Sequence, residues 1–371
     1  MSTILARIAA FLTAIIMFFQ GLFGIGVKPD KPKDDYKTVK NVIFMIGDGM
    51  GFNSIEKTRT ENEIKKFNMD TFPMNGESMT RSANDIVTDS AAGGTALACG
   101  IKTNNGAVGV YPNDMNNEKS HPMNLAELAI MKGKLAGVIT TDKTSGATPA
   151  SFSAHTSSRN NEADITAQQL QSKLTLLWGT GSASFTKEKA VKSGFEVITN
   201  KNEMFSLEEG SRSFGQFTST LWHNYSYKAM PTLTEMTLKA IDLLDDDEDG
   251  FFLMVEGAHI DKNSHNNEGE KMKDALESFD KAVGAALSYA KTHADTLVIV
   301  TADHETGGIT YTDGKYVYTT GSHSGVNVPL LVYGYDGFIN NGDIINNNEI
   351  AIRTAKSMGF EFFPMEVVNA A

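Results

Sequence analysis

The chain has 371 residues, with 33 basic and 45 acidic side chains and a net charge of −12. That acidic balance excludes a nucleic-acid backbone binder, which needs a basic footprint to displace counterions from phosphates. With 41% hydrophobic and 21% charged residues the chain is globular, and its single cysteine, Cys99, excludes an intrachain disulfide framework and any multi-cysteine metal site.

Residues 8–27, IAAFLTAIIMFFQGLFGIGV, carry no charge, follow Arg7 and precede KPDKPKDDYK. Such a stretch is long enough to cross a bilayer, and it reads as an export signal, cleaved or retained as an anchor; a buried or interfacial helix is the alternative. The expectation is an exported protein, extracellular or anchored to the outer face of the cell membrane, that meets the membrane only through this segment. Pro29 and Pro32 break any helix, so 28–37 reads as a linker and 38–371 as one folded domain.

From residue 38 onward, short apolar runs alternate with helical patterns. VKNVIFMI (39–46), KLAGVITT (134–141), FFLMVE (251–256) and TLVIVTA (296–302) read as strands buried on both faces. NLAELAIMKG, ITAQQLQSKLTLL, PTLTEMTLKAIDLL and EKMKDALESFDKAVGAALSYAK carry helical spacing; Pro231 and Thr232 open the third and Gly133 closes the first. The fold class is therefore α/β, a mostly parallel central sheet flanked by helices on both faces.

In such a sheet, ligands sit beyond the carboxyl ends of the strands. There the chain offers Asp48, then Glu256 with Asp261 and His265, then Asp303 with His304, and His323 in the loop GSHSG. Asp261 and His265 stand four apart and share one face of a helical turn, a spacing suited to joint zinc ligation that His323 could complete. Asp303, His304 and Asp48 would make a second zinc site that includes Ser90 or substrate. The all-oxygen set of Asp48, Thr148 and Glu256 favours magnesium. Two metals a few ångströms apart can stabilise both the attacking and the leaving oxygen of a phosphoryl displacement.

Ser90, in VTDSAAGGTALACG, precedes a run of small helix formers, so it reads either as a helix N-cap or as a nucleophile at an anion-binding helix terminus. Arg159 offers a planar fork for phosphate oxygens and Lys262 could assist beside Asp261; for both, a solvated surface role is the plain alternative. His155 and His259 read as structural. The run DDDEDGFFLMVE matches a calcium loop from Asp245 to Glu256, but FFLMV reads as a buried strand and no amphipathic helix follows, so an acidic turn is preferred. GDGMGF has G-x-G-x-G spacing rather than the dinucleotide fingerprint.

GDGMG, TDSAAGGTA, TPASFSAHTSSR, VEGAHIDKNSH, TADHETGG and GSHSG, in this order, together resemble the alkaline phosphatase family. The resemblance implies hydrolysis of small-molecule phosphate monoesters through a phosphoserine on Ser90, with Arg159 binding phosphate and Asp89 orienting the arginine. It implies two Zn2+, one on Asp261, His265 and His323 and one on Asp48, Asp303, His304 and Ser90, and one Mg2+ on Asp48, Thr148 and Glu256. Two departures stand out. Gly146 occupies the position where the family usually offers an acidic residue or a histidine, which predicts a third metal that binds weakly, exchanges or has another identity. The stretch 308–323 leaves no room for a large inserted crown, which predicts a minimal form, monomer or homodimer. Serine as nucleophile favours monoesters over the diesters of related phosphodiesterases. The sulfatase setting C-x-[P/A]-x-R is met by neither Ser90 nor Cys99. A non-catalytic, membrane-anchored metal or phosphate binder would use the same ligands but tolerate loss of Ser90.

Overall fold

Ten strands make the central sheet, and their order explains where the polar residues gather. In this computed structural model, which describes residues 38–115, 120–182, 184–217 and 229–368, they are β1 (Asn41–Gly47), β2 (Met74–Met79), β3 (Leu135–Lys143), β4 (Leu176–Thr180) and β5 (Glu196–Ile198), then β6 (Ser213–Phe217), β7 (Phe251–Gly257), β8 (Thr296–Thr301), β9 (Val328–Tyr333) and β10 (Ile344–Asn346). Across the sheet they run β10-β2-β9-β8-β1-β7-β3-β4-β6-β5. All neighbours are parallel except β9, which is antiparallel to both β2 and β8. The apolar leader 8–27 and the linker 28–37 lie outside the described residues. Among the described residues no helix is long and apolar enough to cross a membrane.

The continuous apolar runs follow from two-sided burial. Along β1, Ile43 and Met45 point into one core, with Met236 and Ala240 of the helix Leu233–Leu244 and Leu276, Phe279 and Val283 of the helix Gly269–Thr292. Val42, Phe44 and Ile46 point into the other, with Leu97 of the helix Ser90–Cys99, Leu125 and Leu128 of the helix Leu125–Met131, and Ile350 and Ala351 of the helix Asn347–Ser357. Alternate residues thus serve opposite faces, which is the physical reason no polar position interrupts the strand.

One element differs from its sequence reading. ITAQQLQSKLTLL is not a single helix: the helix Glu162–Gln171 stops at Ser172, whose backbone is extended, and Leu176 and Leu177 begin β4. Ser172 Oγ accepts from the Leu174 N–H at 3.3 Å, and the strand then pairs with β3 and β6. Tertiary pairing has overridden a helical apolar spacing. The third predicted helix does open at Thr232, which forms a capping box with Glu235, and Gly133 after the first sits at φ 87°. The stretch 308–323 is a short hairpin, Thr310–Thr312 against Lys315–Val317. The acidic turn before β7 is no calcium loop, because Glu256 belongs to β7 itself and faces the site described next.

Candidate active site

Register brings the site together. Ile46 of β1 lies opposite Glu256 of β7 on one side and Thr301 of β8 on the other, and Thr140 of β3 lies opposite Glu256. The carboxyl ends of four neighbouring strands are therefore level. The residues that follow them, Asp48, Asp261 and His265 on the helix His259–His265, Asp303 and His304, and Asp142 on β3, share one edge of the sheet.

Two ligand sets form there. In each of Asp261–His265–His323 and Asp48–Asp303–His304, one ligand atom per residue lies within 4.8 Å of the others. Asp261 Oδ1 is 3.3 Å from His265 Nε2 and 3.5 Å from His323 Nε2. His265 Nδ1 lies 2.8 Å from the Gly321 carbonyl and His323 Nδ1 2.9 Å from the Thr88 carbonyl. A carbonyl only accepts, so each Nδ1 keeps its proton and each Nε2 can turn a lone pair inward, 3.1 Å from the other. In the second set His304 Nε2 is 3.3 Å from Asp303 Oδ2 and 3.6 Å from Asp48 Oδ1. Those two carboxylate oxygens are buried with no hydrogen-bond partner. Orphaned carboxylate oxygens facing an imidazole lone pair are what divalent cations satisfy, so the residues fit the expected metals.

The electrostatics point the same way. Burial, reinforced by Asp303, Asp261 and Glu256, pushes the Asp48 carboxyl well above the ordinary range. Burial pushes Glu256 up to about 8, with Asp142 and Asp303 adding to the shift against the Thr140 hydrogen bond. Burial also acts to raise Asp261, but the His323 hydrogen bond and the neighbouring imidazoles hold it well below the carboxylate range. Anions packed this closely out of water need a countercharge. Thr148 Oγ1, 3.4 Å from Asp48 Oδ2, and Glu256 supply the all-oxygen set between β1 and β7.

Ser90 is the first residue of its helix, and the N-cap is Asp89, whose Oδ1 accepts from the Ala92 N–H at 3.0 Å. The capping role left open for Ser90 is thus taken by its neighbour. The Ser90 hydroxyl is buried and stands 3.1 Å from His304 Nε2, beside the N–H groups of the first turn that the Asp89 cap does not take. The small residues behind it serve close approach: a Cβ at Gly93 would lie 2.9 Å from the Asp303 carbonyl oxygen, and one at Gly94 2.9 Å from Ser151 Oγ. Asp89 Oδ2 accepts from Arg159 Nη1 at 3.1 Å and from the Gly106 N–H at 3.0 Å, while the Arg159 N–H donates to the Gly106 carbonyl.

Two details add to the expectations. Asp142 Oδ2 would be 3.3 Å from a Cβ at Gly146, so a carboxylate stands beside the space that the glycine leaves. Lys262, next to Asp261 in the chain, is paired with Asp142 Oδ1. Sequence reasoning also missed Thr306, whose Oγ1 donates to Asp261 Oδ1 at 2.5 Å and lies 3.2 Å from His304 Nδ1, tying the two ligand sets together. Its position in TADHETGG, two after His304, was the available signal. For Asp142 it was the polar end of a predicted strand.

A doubly wound sheet with two imidazole–carboxylate sets beside a serine on a helix terminus and an arginine is an arrangement suited to metal-assisted phosphoryl transfer. A family model described as alkaline phosphatase matches residues 39–177 and 181–362, and the chain belongs to that family. It is 35% identical to alkaline phosphatase 4 of Bacillus subtilis (strain 168), over 76% of this chain and 65% of that protein, so it spans just under two thirds of that relative's length. It is 32% identical to the alkaline phosphatase of Escherichia coli (strain K12), covering 72% of this chain and 70% of that one. Among solved structures, the alkaline phosphatase from the Antarctic bacterium TAB5 is similar with a TM-score of 0.76 and 32% identity, covering 88% of this chain and all of that one.

Proposed function

We propose that the protein hydrolyses phosphate monoesters to an alcohol and inorganic phosphate through a phosphoserine on Ser90. The observation that carries this reading is Ser90 Oγ, held 3.1 Å from His304 Nε2 at a helix N-terminus and at the edge of the Asp48–Asp303–His304 set. A protein that only bound metal or phosphate would tolerate loss of this hydroxyl.

Asp261, His265 and His323 would hold one zinc, Asp48, Asp303 and His304 a second next to Ser90, and Asp48, Thr148 and Glu256 a magnesium. When bound, these cations supply Lewis-acid charge to the phosphoryl oxygens and lower the pKa of nearby hydroxyl groups. Ser90 Oγ attacks phosphorus in line, forming an Oγ–P bond as the ester P–O bond breaks and the alcohol leaves. Water then cleaves the Oγ–P bond, releasing phosphate and restoring the hydroxyl. The N–H groups of the first turn and Arg159 stabilise the charge on the non-bridging oxygens. Asp89 keeps Arg159 in place through Nη1, leaving the rest of its fork for the substrate. Lys262 and Asp142 together set the charge near Glu256. Export through 8–27, cleaved or retained as an anchor, and a monomeric or homodimeric state belong to this proposal, with small phosphomonoesters as substrates.

The test is a panel of p-nitrophenyl esters hydrolysed by the full chain. The monoester is expected to exceed the phosphodiester and the sulfate in kcat/KM by roughly 10²-fold or more; equal rates on the diester would reject the assignment. Two variants probe the geometry. Arg159→Ala loses a charge-assisted contact and should weaken kcat/KM about 10- to 100-fold, mostly through KM, measured by steady-state kinetics and phosphate inhibition. Gly93→Ala must push the Ser90 helix away from Asp303, so kcat should drop roughly tenfold while zinc content, read by atomic spectroscopy, stays constant.

A further inference from the structure

Away from the strand ends, three ligating side chains from separate segments converge. They are His121 on the short strand Ser120–Pro122, Glu127 in the first turn of the helix Leu125–Met131, and His155 just beyond the helix Ala147–Ser151; one ligand atom from each lies within 4.8 Å of the others. Two imidazoles and a carboxylate are the same donor set as Asp261, His265 and His323.

His155 shows the same arrangement as the catalytic histidines. Its Nδ1 is 2.6 Å from the Gly109 carbonyl, an acceptor only, so that nitrogen carries the proton. Its Nε2 then faces Glu127 Oε1 at 3.0 Å, and a lone pair against a carboxylate oxygen is repulsive unless a second proton or a cation lies between them. Glu127 is preset for that role: its Oε2 accepts from the Asn124 N–H at 2.9 Å in a capping box, which leaves Oε1 available. The His121 ring stacks on His155 with centroids 3.7 Å apart and 21° between planes, which disfavours protonating both rings. His304 and His323, one from each catalytic set, stack in the same way at 3.5 Å and 21°. Next to the cluster lies a cavity of about 550 Å³, lined by His121, Met123, Glu127, Phe152, His155 and Gln168 among others, which provides entry and room for a fourth, exchangeable ligand.

We propose that His121, Glu127 and His155 form a further divalent transition-metal site, of the zinc type, outside the catalytic centre. Bound metal there braces the strand Ser120–Pro122, which pairs with Glu366–Val368 near the C-terminus, against the segment that runs from His155 to Arg159. The site stands independently of the phosphatase assignment, since it uses none of that centre's residues.

The test uses the full chain saturated with zinc and freed of excess by gel filtration. His121→Ala and Glu127→Gln should each retain one equivalent of zinc fewer than the parent and should lose one component of the visible absorption when cobalt replaces zinc. Glu127→Gln keeps an amide oxygen to accept from the Asn124 N–H, so the helix cap and the fold survive; far-ultraviolet circular dichroism checks this for both variants. Hydrolysis of p-nitrophenyl phosphate should be retained in His121→Ala, which separates this site from the catalytic one. An unchanged zinc count and cobalt spectrum in both variants would overturn the proposal and leave an imidazolium–glutamate pair.

Discussion

Replacing Ser90 by alanine is expected to cut turnover of a phosphomonoester by about 10⁴-fold, leaving zinc content and thermal unfolding close to the parent's. The side chain is small, and its hydroxyl, though buried, is not the helix cap, since Asp89 holds that role. Removal therefore takes away the proposed nucleophile without unsatisfying the helix. The remaining ligand sets and Arg159 still bind phosphate, so affinity for inorganic phosphate should persist and a slow residual hydrolysis by water should survive. Acid quenching with phosphorus-32-labelled substrate should leave label on Ser90 in the parent and none in the variant. Turnover within tenfold of the parent would exclude the phosphoserine route.

Stripping the metals should have a comparable effect on activity, about 10³-fold or more, reversed by zinc together with magnesium. It should also change the pH dependence of stability. Glu256, its carboxyl pushed from 4.5 up to about 8 by burial and by its acidic neighbours, favours the protonated form in the folded state. For a raised carboxyl the stabilisation is complete below the unfolded value and disappears as pH rises through the folded one. Metal-free protein should therefore lose stability between about pH 4.5 and 8, and Asp48, shifted the same way, adds to the slope. Loaded protein should not, because bound cations take the place of the protons as countercharge. At free zinc near 1,000 times its dissociation constant, one site adds about 4 kcal/mol to the folded state. Thermal unfolding of both forms across that pH range checks the sign; parallel profiles would mean that the carboxylates are compensated by something other than metal.

The sequence alone carried the apolar runs of β1, β3, β7 and β8, because two-sided burial favours apolar side chains along their middle and leaves the polar ones to their carboxyl ends, and with those runs came the ligand positions. Asp48, Glu256, Asp261, His265, Asp303 and His304 were legible for that reason: parallel strands deliver their carboxyl ends to one edge, and His323 reaches the same edge because it precedes β9, which runs the other way. Other features depended on contacts between segments that no local pattern encodes. Asp89 and Ser90 are both able to cap, and only the phase of the packed helix makes Asp89 the cap and turns the buried Ser90 hydroxyl toward His304. Leu176 and Leu177 had helical spacing until β3 and β6 offered them backbone partners. Asp142 reaches the space at Gly146 and pairs with Lys262 because β3 and the helix His259–His265 meet there, a fact of register rather than of residue type. His155, which looked structural, gains its partners from His121 and Glu127 on other segments. Spacing along the chain can place donors on one turn or one strand end, but a site assembled across elements exists only once hydrophobic packing has set their distance.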